Sequence, residues 1–179
     1  MDREIEIQAV VDLRCGIDLL LARPDVDPKR LAYVGHSYGA QWRSILSAVD
    51  RRMKTSVLMA GVADMADILL RSDDPGMVDF RKGQPVGQLE RYSQVTGDID
   101  AIHLSGMPRR PFRCCSSSQI TNSTSTRLQW SIYVAAASDP KKVLYYDTGH
   151  DLNDPQALED RYDWLVKNIS LRRESVLTR

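Results

Sequence analysis

The feature that most constrains this chain is a glycine-flanked serine between a predicted strand and a predicted helix. Residues Gly35-His36-Ser37-Tyr38-Gly39 fit the pattern G-x-S-x-G. The apolar run at 31–34 precedes the motif, and apolar side chains at 42, 45, 46 and 49 follow it with helical spacing. In that setting the serine occupies a tight turn that raises its hydroxyl above the sheet. The alternative interpretation is a structural turn without chemistry.

The residues around this serine have predicted roles of their own. Side chains at Gly35 and Gly39 are expected to clash with neighbouring backbone in so tight a turn. The turn also places Ser37 at the start of a helix, where unpaired N–H groups and the helix dipole favour negative charge. We therefore expect the main-chain N–H of Tyr38 to bind an oxyanion that forms beside the serine.

A histidine near the other end of the chain is the predicted base. His150 lies in Gly149-His150-Asp151, between a predicted strand at 143–146 and a predicted helix from 155. A serine hydroxyl needs such a base because it is a poor nucleophile at neutral pH. The alternative is an incidental surface histidine. His36 is expected to shape the pocket or pack beside the serine, and His103 lacks a partner at metal-ligand spacing.

The order of predicted elements indicates an α/β fold with a parallel sheet. Apolar residues at 10, 13, 17 and 20 predict a first helix, and the runs at 31–34 and 56–60 predict buried strands. The chain is expected to form one domain over residues 1–179. Within it, 64–97 is predicted as a lid-like helical insertion above Ser37, and apolar residues at 158, 162, 165 and 169 predict a final helix.

Composition excludes several classes of function. Lys plus Arg and Asp plus Glu each number 24 in 179 residues, so a zero net charge gives no electrostatic attraction to nucleic acid or an anionic membrane. No apolar run approaches the roughly 20 residues that span a bilayer. Cys15, Cys114 and Cys115 form neither a disulfide framework nor a zinc pair. We expect a reduced, cytoplasmic protein with no metal and no cofactor.

The serine motif, the run at 56–64 and the segment 142–165 together resemble the serine hydrolases of the α/β-hydrolase fold. The likeness is greatest to the dienelactone-hydrolase-like and prolyl-oligopeptidase-like (peptidase S9) branches. It implies that Ser37 is the nucleophile, His150 the base and the Tyr38 amide one oxyanion donor. The implied reaction is hydrolysis of a small-molecule ester or a peptide through an acyl-enzyme, without a cofactor.

Two departures from this family stand out. Only one helix precedes the predicted strand at 31–34, whereas a full hydrolase has several earlier strands and a loop that supplies a second oxyanion N–H. We therefore expect an N-terminally truncated, partial fold whose exposed sheet edge favours self-association. The triad acid is also missing from its expected place, since residues 101–138 contain no Asp or Glu. Asp98 and Asp100 come too early, and Asp139 is a possible substitute.

The centre of the acid-free stretch, 109–130, is rich in Ser, Thr, Arg and Cys and is predicted to be irregular. One hypothesis is a shifted reading frame. The frame that begins on the third base of Arg113 encodes Leu, Met or Val and then Leu across Cys114 and Cys115, which suits a buried strand. The alternative is a real but unusual loop. For the whole chain, an inactive remnant or interaction module and an acyltransferase remain open.

Overall fold

A computed structural model describes residues 3–61, 64–100, 112–117 and 141–172, with 112–117 described as main chain. Six helices and four strands lie in these ranges. In chain order they are α1 Arg3–Leu21, β1 Ala32–His36, α2 Tyr38–Val49, β2 Thr55–Met59, α3 Met65–Arg71, α4 Pro75–Lys82, α5 Gln88–Thr96, β3 Phe112–Ser117, β4 Lys141–Tyr146 and α6 Pro155–Ile169. Single 3₁₀ turns occur at Pro28–Arg30 and Gly97–Ile99.

The four strands form one parallel sheet in the order β1-β2-β3-β4. This arrangement confirms the predicted α/β class. His36 pairs with Met59 at the end of β1, and the last residue of β4 is Tyr146. Because the carboxyl ends of parallel strands share one edge of the sheet, the residues that follow β1 and β4 emerge at the same edge, where ligands bind in such folds. Ser37 and His150 both lie in those segments.

The first strand is less buried than the sequence predicts. Every residue of β2 is buried, but Val34 in β1 is 48% exposed and His36 is exposed. The physical reason is position, because β1 pairs with β2 alone among the described strands and forms one edge of the sheet. The prediction of a strand here is therefore confirmed, but the prediction that this strand is buried is wrong. Self-association through this edge stays a prediction.

The third strand lies in the segment that the sequence predicts as irregular. The main chain of Phe112–Ser117 pairs with β2 on one side and β4 on the other, so the prediction is wrong for these six residues. A strand between two partners is specified mainly by backbone hydrogen bonds, which any residue except proline can donate. The frame-shift hypothesis stays a hypothesis. The rest of 109–130, together with His103 and Asp139, lies outside the described residues.

Helix α2 packs against β1 and β2, and α1 packs against α2. The apolar stripes of both helices are shorter than predicted, because Leu20 of α1 and Val49 of α2 are exposed. Ile45 and Leu46 of α2 are buried with Val10 and Ile17 of α1, whereas Val49 is 56% exposed. The last helix packs on the sheet through a face that only partly matches the predicted one, since Leu165 of that face contacts the core. Its buried residues are Ala157 and Trp164, which pack with Val57, while Leu158 is 43% exposed.

The segment 64–97 is helical, as predicted, and is built from α3, α4 and α5. Met65, Leu69, Leu89 and Tyr92 form its small core, and the ring of Tyr38 packs against it. These helices therefore contact the residue directly after Ser37, and their role as a lid stays a prediction. Among the described helices, none combines the length and the apolar character needed to cross a membrane.

Candidate active site

The turn between β1 and α2, residues 35–39, is referred to below as the elbow. Ser37 has φ 54° and ψ −118°, a conformation that is costly for a residue with a side chain. Its N–H donates to the carbonyl of Met59 at 2.9 Å, and its own carbonyl accepts from the N–H of Ala40 at 3.0 Å. The strained residue is therefore held between the ladder of the sheet and the first turn of α2.

Only one of the two elbow glycines is required sterically. A Cβ at Gly35 would lie 2.6 Å from the carbonyl oxygen of Gly39 and 2.6 Å from the ring of Tyr33. A Cβ at Gly39 would meet only the Tyr33 hydroxyl, at an ordinary 3.6 Å. The predicted clash at Gly39 is therefore wrong, because this residue already lies in the first turn of α2 with space beside it. The Tyr33 hydroxyl also donates to the Gly39 carbonyl at 2.9 Å.

Tyr38 is the first residue of α2, so its N–H belongs to the group that a helix leaves without an internal acceptor. Within the described part of the chain, no residue accepts a hydrogen bond from it. Its position beside Ser37 is the one that the sequence predicts for an oxyanion donor. Burial raises the pKa of the Tyr38 hydroxyl, and the negative charge of Glu6 raises it further.

His150 lies on the turn after β4, residues 149–152, referred to below as the histidine turn. The Leu152 N–H donates to the carbonyl of Gly149 at 3.0 Å and closes the turn. Leu152 has φ 50° and is buried against Trp164 and Tyr146. This anchor fixes the turn to the core, while His150 itself is exposed.

The structure brings the histidine turn to the elbow. Nε2 of His36 donates to the main-chain carbonyl of His150 at 2.6 Å, although the two residues are 114 positions apart. Their rings also meet edge to face, with centroids 4.9 Å apart and an interplanar angle of 61°. His150 therefore lies beside the residue that directly precedes Ser37. Among the described residues, no hydrogen bond joins the Ser37 hydroxyl to the His150 ring.

The surroundings of His150 favour its neutral form. Although His150 is exposed as a residue, partial desolvation of its ring lowers the pKa of His150 below its ordinary 6.5. The charge of His36 lowers this pKa further, while Asp151 acts in the opposite direction. A neutral imidazole near pH 7 has a free nitrogen that accepts a proton. The electrostatics of the turn therefore suit a general base.

Two of the three aspartates considered as triad acids have other partners. Asp98 forms an ion pair with Arg3 at 2.7 Å, and Asp100 is buried and accepts from the Met65 N–H at 2.8 Å. Both therefore contact α1 or α3 rather than the histidine turn. The third, Asp139, is outside the described ranges.

A pocket that the sequence did not predict lies between α1, the start of α2 and the helices α3–α5. Its volume is about 520 Å³. Its apolar lining includes Ile5, Tyr38, Leu69, Phe80, Leu89 and Val95. No periodicity in the sequence marks these residues, which come from five separate helices. The described residues contain no group of three or more His, Cys, Asp or Glu that could hold a metal ion.

Known proteins with similar structures include esterases and an acylaminoacyl peptidase. The acetyl xylan esterase from Paenibacillus sp. R4 has a TM-score of 0.70 at 22% identity, over 90% of this chain and 52% of that chain. The acetyl xylan esterase from Thermoanaerobacterium sp. has a TM-score of 0.64 at 17% identity, over 84% and 49%. The acylaminoacyl peptidase of Pyrococcus horikoshii has a TM-score of 0.69 at 13% identity, over 99% and 31%.

These likenesses establish the fold. The chain spans about half the length of the two acetyl xylan esterases. No family model matches the sequence, and no curated protein matches it. The parallel sheet with helices packed on it agrees with this fold. The chain has a partial α/β-hydrolase fold.

Proposed function

We propose that this protein is a serine hydrolase that acts on ester or amide bonds through an acyl-enzyme. The observation that supports the proposal most is the contact of His36, in the elbow, with His150, the residue that the sequence predicts as the base. The strained backbone at Ser37 is a second, independent support, because such strain clusters at functional sites. The esterase and peptidase neighbours support the same class of reaction.

In the proposed reaction the Ser37 hydroxyl attacks the substrate carbonyl carbon and its proton passes to His150. The carbonyl oxygen gains the negative charge and accepts a hydrogen bond from the Tyr38 N–H. The tetrahedral intermediate collapses, and the leaving alcohol or amine departs with the proton from His150. Water then attacks the carbonyl carbon of the acyl-enzyme while His150 takes its proton. Collapse of this second tetrahedral intermediate breaks the bond to Ser37, His150 returns the proton to the serine oxygen, and the acid is released.

We expect turnover to be slow. No described carboxylate accepts a hydrogen bond from the His150 ring, and loss of the orienting acid from a triad costs up to about 10⁴-fold in rate. The formation of a stable covalent adduct is therefore a more sensitive readout than turnover, because it requires only one reaction of the serine.

The test is labelling of the folded protein with a fluorophosphonate, followed by mass spectrometry of the labelled peptide, together with turnover of p-nitrophenyl acetate. We expect the label on Ser37, no labelling of Ser37→Ala, and slower labelling of His150→Ala. Ser170→Ala removes an exposed serine beyond the end of α6 and is the matched control. A folded protein that neither reacts with the probe nor turns over the ester is instead an inactive member of the fold, suited to an interaction role.

A further inference from the structure

We propose that His36 is a positioning residue that holds the base of the reaction, His150, in place through its main-chain carbonyl. This inference rests on the proposed hydrolase function. It assigns a role to the residue between Gly35 and the serine, for which the sequence predicts only packing or pocket shape.

The first step of the argument is the hydrogen bond itself. A carbonyl oxygen can only accept, so Nε2 of His36 carries the proton in the 2.6 Å contact with His150. Within the described ranges, this bond is the one hydrogen bond that links β1 to the histidine turn. Leu152 fixes the turn to the core, but it lies two residues beyond His150. The bond from His36 acts on His150 directly.

The second step is the rigidity of the donor. The backbone of His36 pairs with Met59 in the sheet, and the next N–H, from Ser37, donates to the Met59 carbonyl at 2.9 Å. The ring of His36 therefore extends from a fixed backbone that also positions the Ser37 hydroxyl. A displacement of the His150 main chain relative to the elbow must therefore break this bond. His36 thus fixes the backbone of the base relative to the serine.

The third step is the contact between the two rings. The edge-to-face arrangement at 4.9 Å restricts rotation of the His150 imidazole, which a carbonyl bond alone would not do. The charged groups that face His150 in the described structure are His36 from β1 and Asp151 from its own turn. Positive charge on His36 disfavours protonation of His150. The contact therefore favours the neutral form of the base as well as holding it in position.

The experiment compares His36→Gln and His36→Phe with the unaltered protein. A glutamine keeps an N–H donor for the His150 carbonyl, whereas a phenylalanine keeps a ring and removes the donor and the charge. The His150 pKa is followed by NMR titration of the protein with ¹³C-labelled histidine, and fluorophosphonate labelling is followed in parallel. Val34→Ala, on the same exposed edge of β1, is the matched control.

We expect His36→Phe to slow labelling about 10- to 100-fold, the scale of a misplaced catalytic group, and His36→Gln to restore most of the rate. Both variants should raise the pKa of His150 toward 6.5, because both remove the histidine charge. In an esterase assay the loss should fall on kcat rather than KM. Val34→Ala should change neither the rate nor the pKa.

An unchanged labelling rate in folded His36→Phe would overturn the inference, as would a failure of His36→Gln to recover more activity than His36→Phe. Should His36→Phe not fold, His36→Ala takes its place, since it also removes the donor and the ring. Labelling of His36→Ala as fast as that of His36→Gln would then reject the role. Failure of the hydrolase function has a different signature. The unaltered protein would not react with the fluorophosphonate, yet the pKa of His150 would still depend on residue 36.

Discussion

The elbow and the histidine turn meet at the same edge of the sheet, but they are held there by different forces. The elbow is fixed by its own neighbours in the chain and by one bond from Ser37 to the Met59 carbonyl. The histidine turn depends on the burial of Leu152 and on the bond from His36. The elbow is therefore a local steric device, whereas the histidine turn takes its position from contacts that are distant in sequence.

This difference predicts which substitutions should destabilise the elbow and which should destabilise the histidine turn. Atoms added at Gly35 in the elbow have no space, whereas removal of the Leu152 side chain from the histidine turn leaves a cavity beneath it. Substitutions that enlarge a side chain should therefore damage the first, and substitutions that truncate one should damage the second. Three predictions test this division, and a fourth tests the pocket beside the elbow.

The largest effect is expected at Gly35. Gly35→Ala places a methyl group 2.6 Å from the carbonyl oxygen of Gly39, so the backbone must shift. We expect the free energy of unfolding to fall by about 3 kcal/mol, the upper end for overpacking. Gly39→Ala is the matched control, because its Cβ would lie 3.6 Å from the Tyr33 hydroxyl, an ordinary contact distance. Alanine also stabilises a helix by up to about 1 kcal/mol relative to glycine. Equal urea midpoints for the two variants would refute the steric account.

The second prediction concerns the anchor of the histidine turn. Leu152→Ala removes a buried side chain from the cluster that contains Trp164. We expect a loss of about 2 kcal/mol in the free energy of unfolding, the low end for such truncations because the turn lies near the surface. Leu158→Ala in α6 removes the same atoms from an exposed position and should cost much less. Urea denaturation of the two variants, run side by side, measures the difference.

The same division explains how much of the molecule the sequence predicts. The elbow is recognisable because the requirement for glycine at 35 and the strain at Ser37 are properties of adjacent residues. The strand at 112–117 is not recognisable, because pairing with β2 and β4 specifies it and its composition does not. Likewise, the spacing of apolar residues in α6 predicts that Leu158 is buried, but the residues of α6 that are buried are Ala157 and Trp164. Steric requirements between adjacent residues can be predicted from the sequence, whereas the packing partners of a segment cannot be predicted from that segment alone.

The site shows the same pattern. Its two proposed reactive residues, Ser37 and His150, are predicted from motifs. The contact between His36 and His150 instead requires β1 and β4 to lie in one sheet, a relation between positions 114 apart. The pocket beside Tyr38 is lined by residues of five helices, so it cannot be predicted from any single stretch of the sequence.

The third prediction uses pH to separate the base from the nucleophile. Because the base must be neutral, labelling of Ser37 should lose about tenfold per pH unit below the pKa of His150, which lies below 6.5. Asp151 raises that pKa, so Asp151→Asn should move the acid limb to still lower pH. Asp12→Asn on α1 removes the same charge elsewhere and should leave the profile unchanged. A limb above pH 6.5, or a shift of Asp151→Asn toward higher pH, would contradict the assignment of His150 as the base.

The smallest effect is expected in the pocket, which adjoins the elbow through Tyr38 and has no described contact with the histidine turn. We expect it to take the apolar group of an ester, because its walls are mainly apolar. Phe80→Ala should raise KM for p-nitrophenyl hexanoate about fivefold, the equivalent of about 1 kcal/mol of lost apolar contact. It should leave p-nitrophenyl acetate unaffected, since an acetyl group is too short to reach the wall.

Val86→Ala, at a fully exposed position between α4 and α5, is the control for the pocket variant. The acid limb of the pH profile should be the same in Phe80→Ala as in the unaltered protein, because the pocket contacts the nucleophile's neighbour and not the base. Equal effects on the two esters would show that Phe80 supports the fold of α3–α5 rather than the substrate. A changed acid limb would mean that the elbow and the histidine turn are coupled through these helices, and the separation between the two halves of the site would then fail.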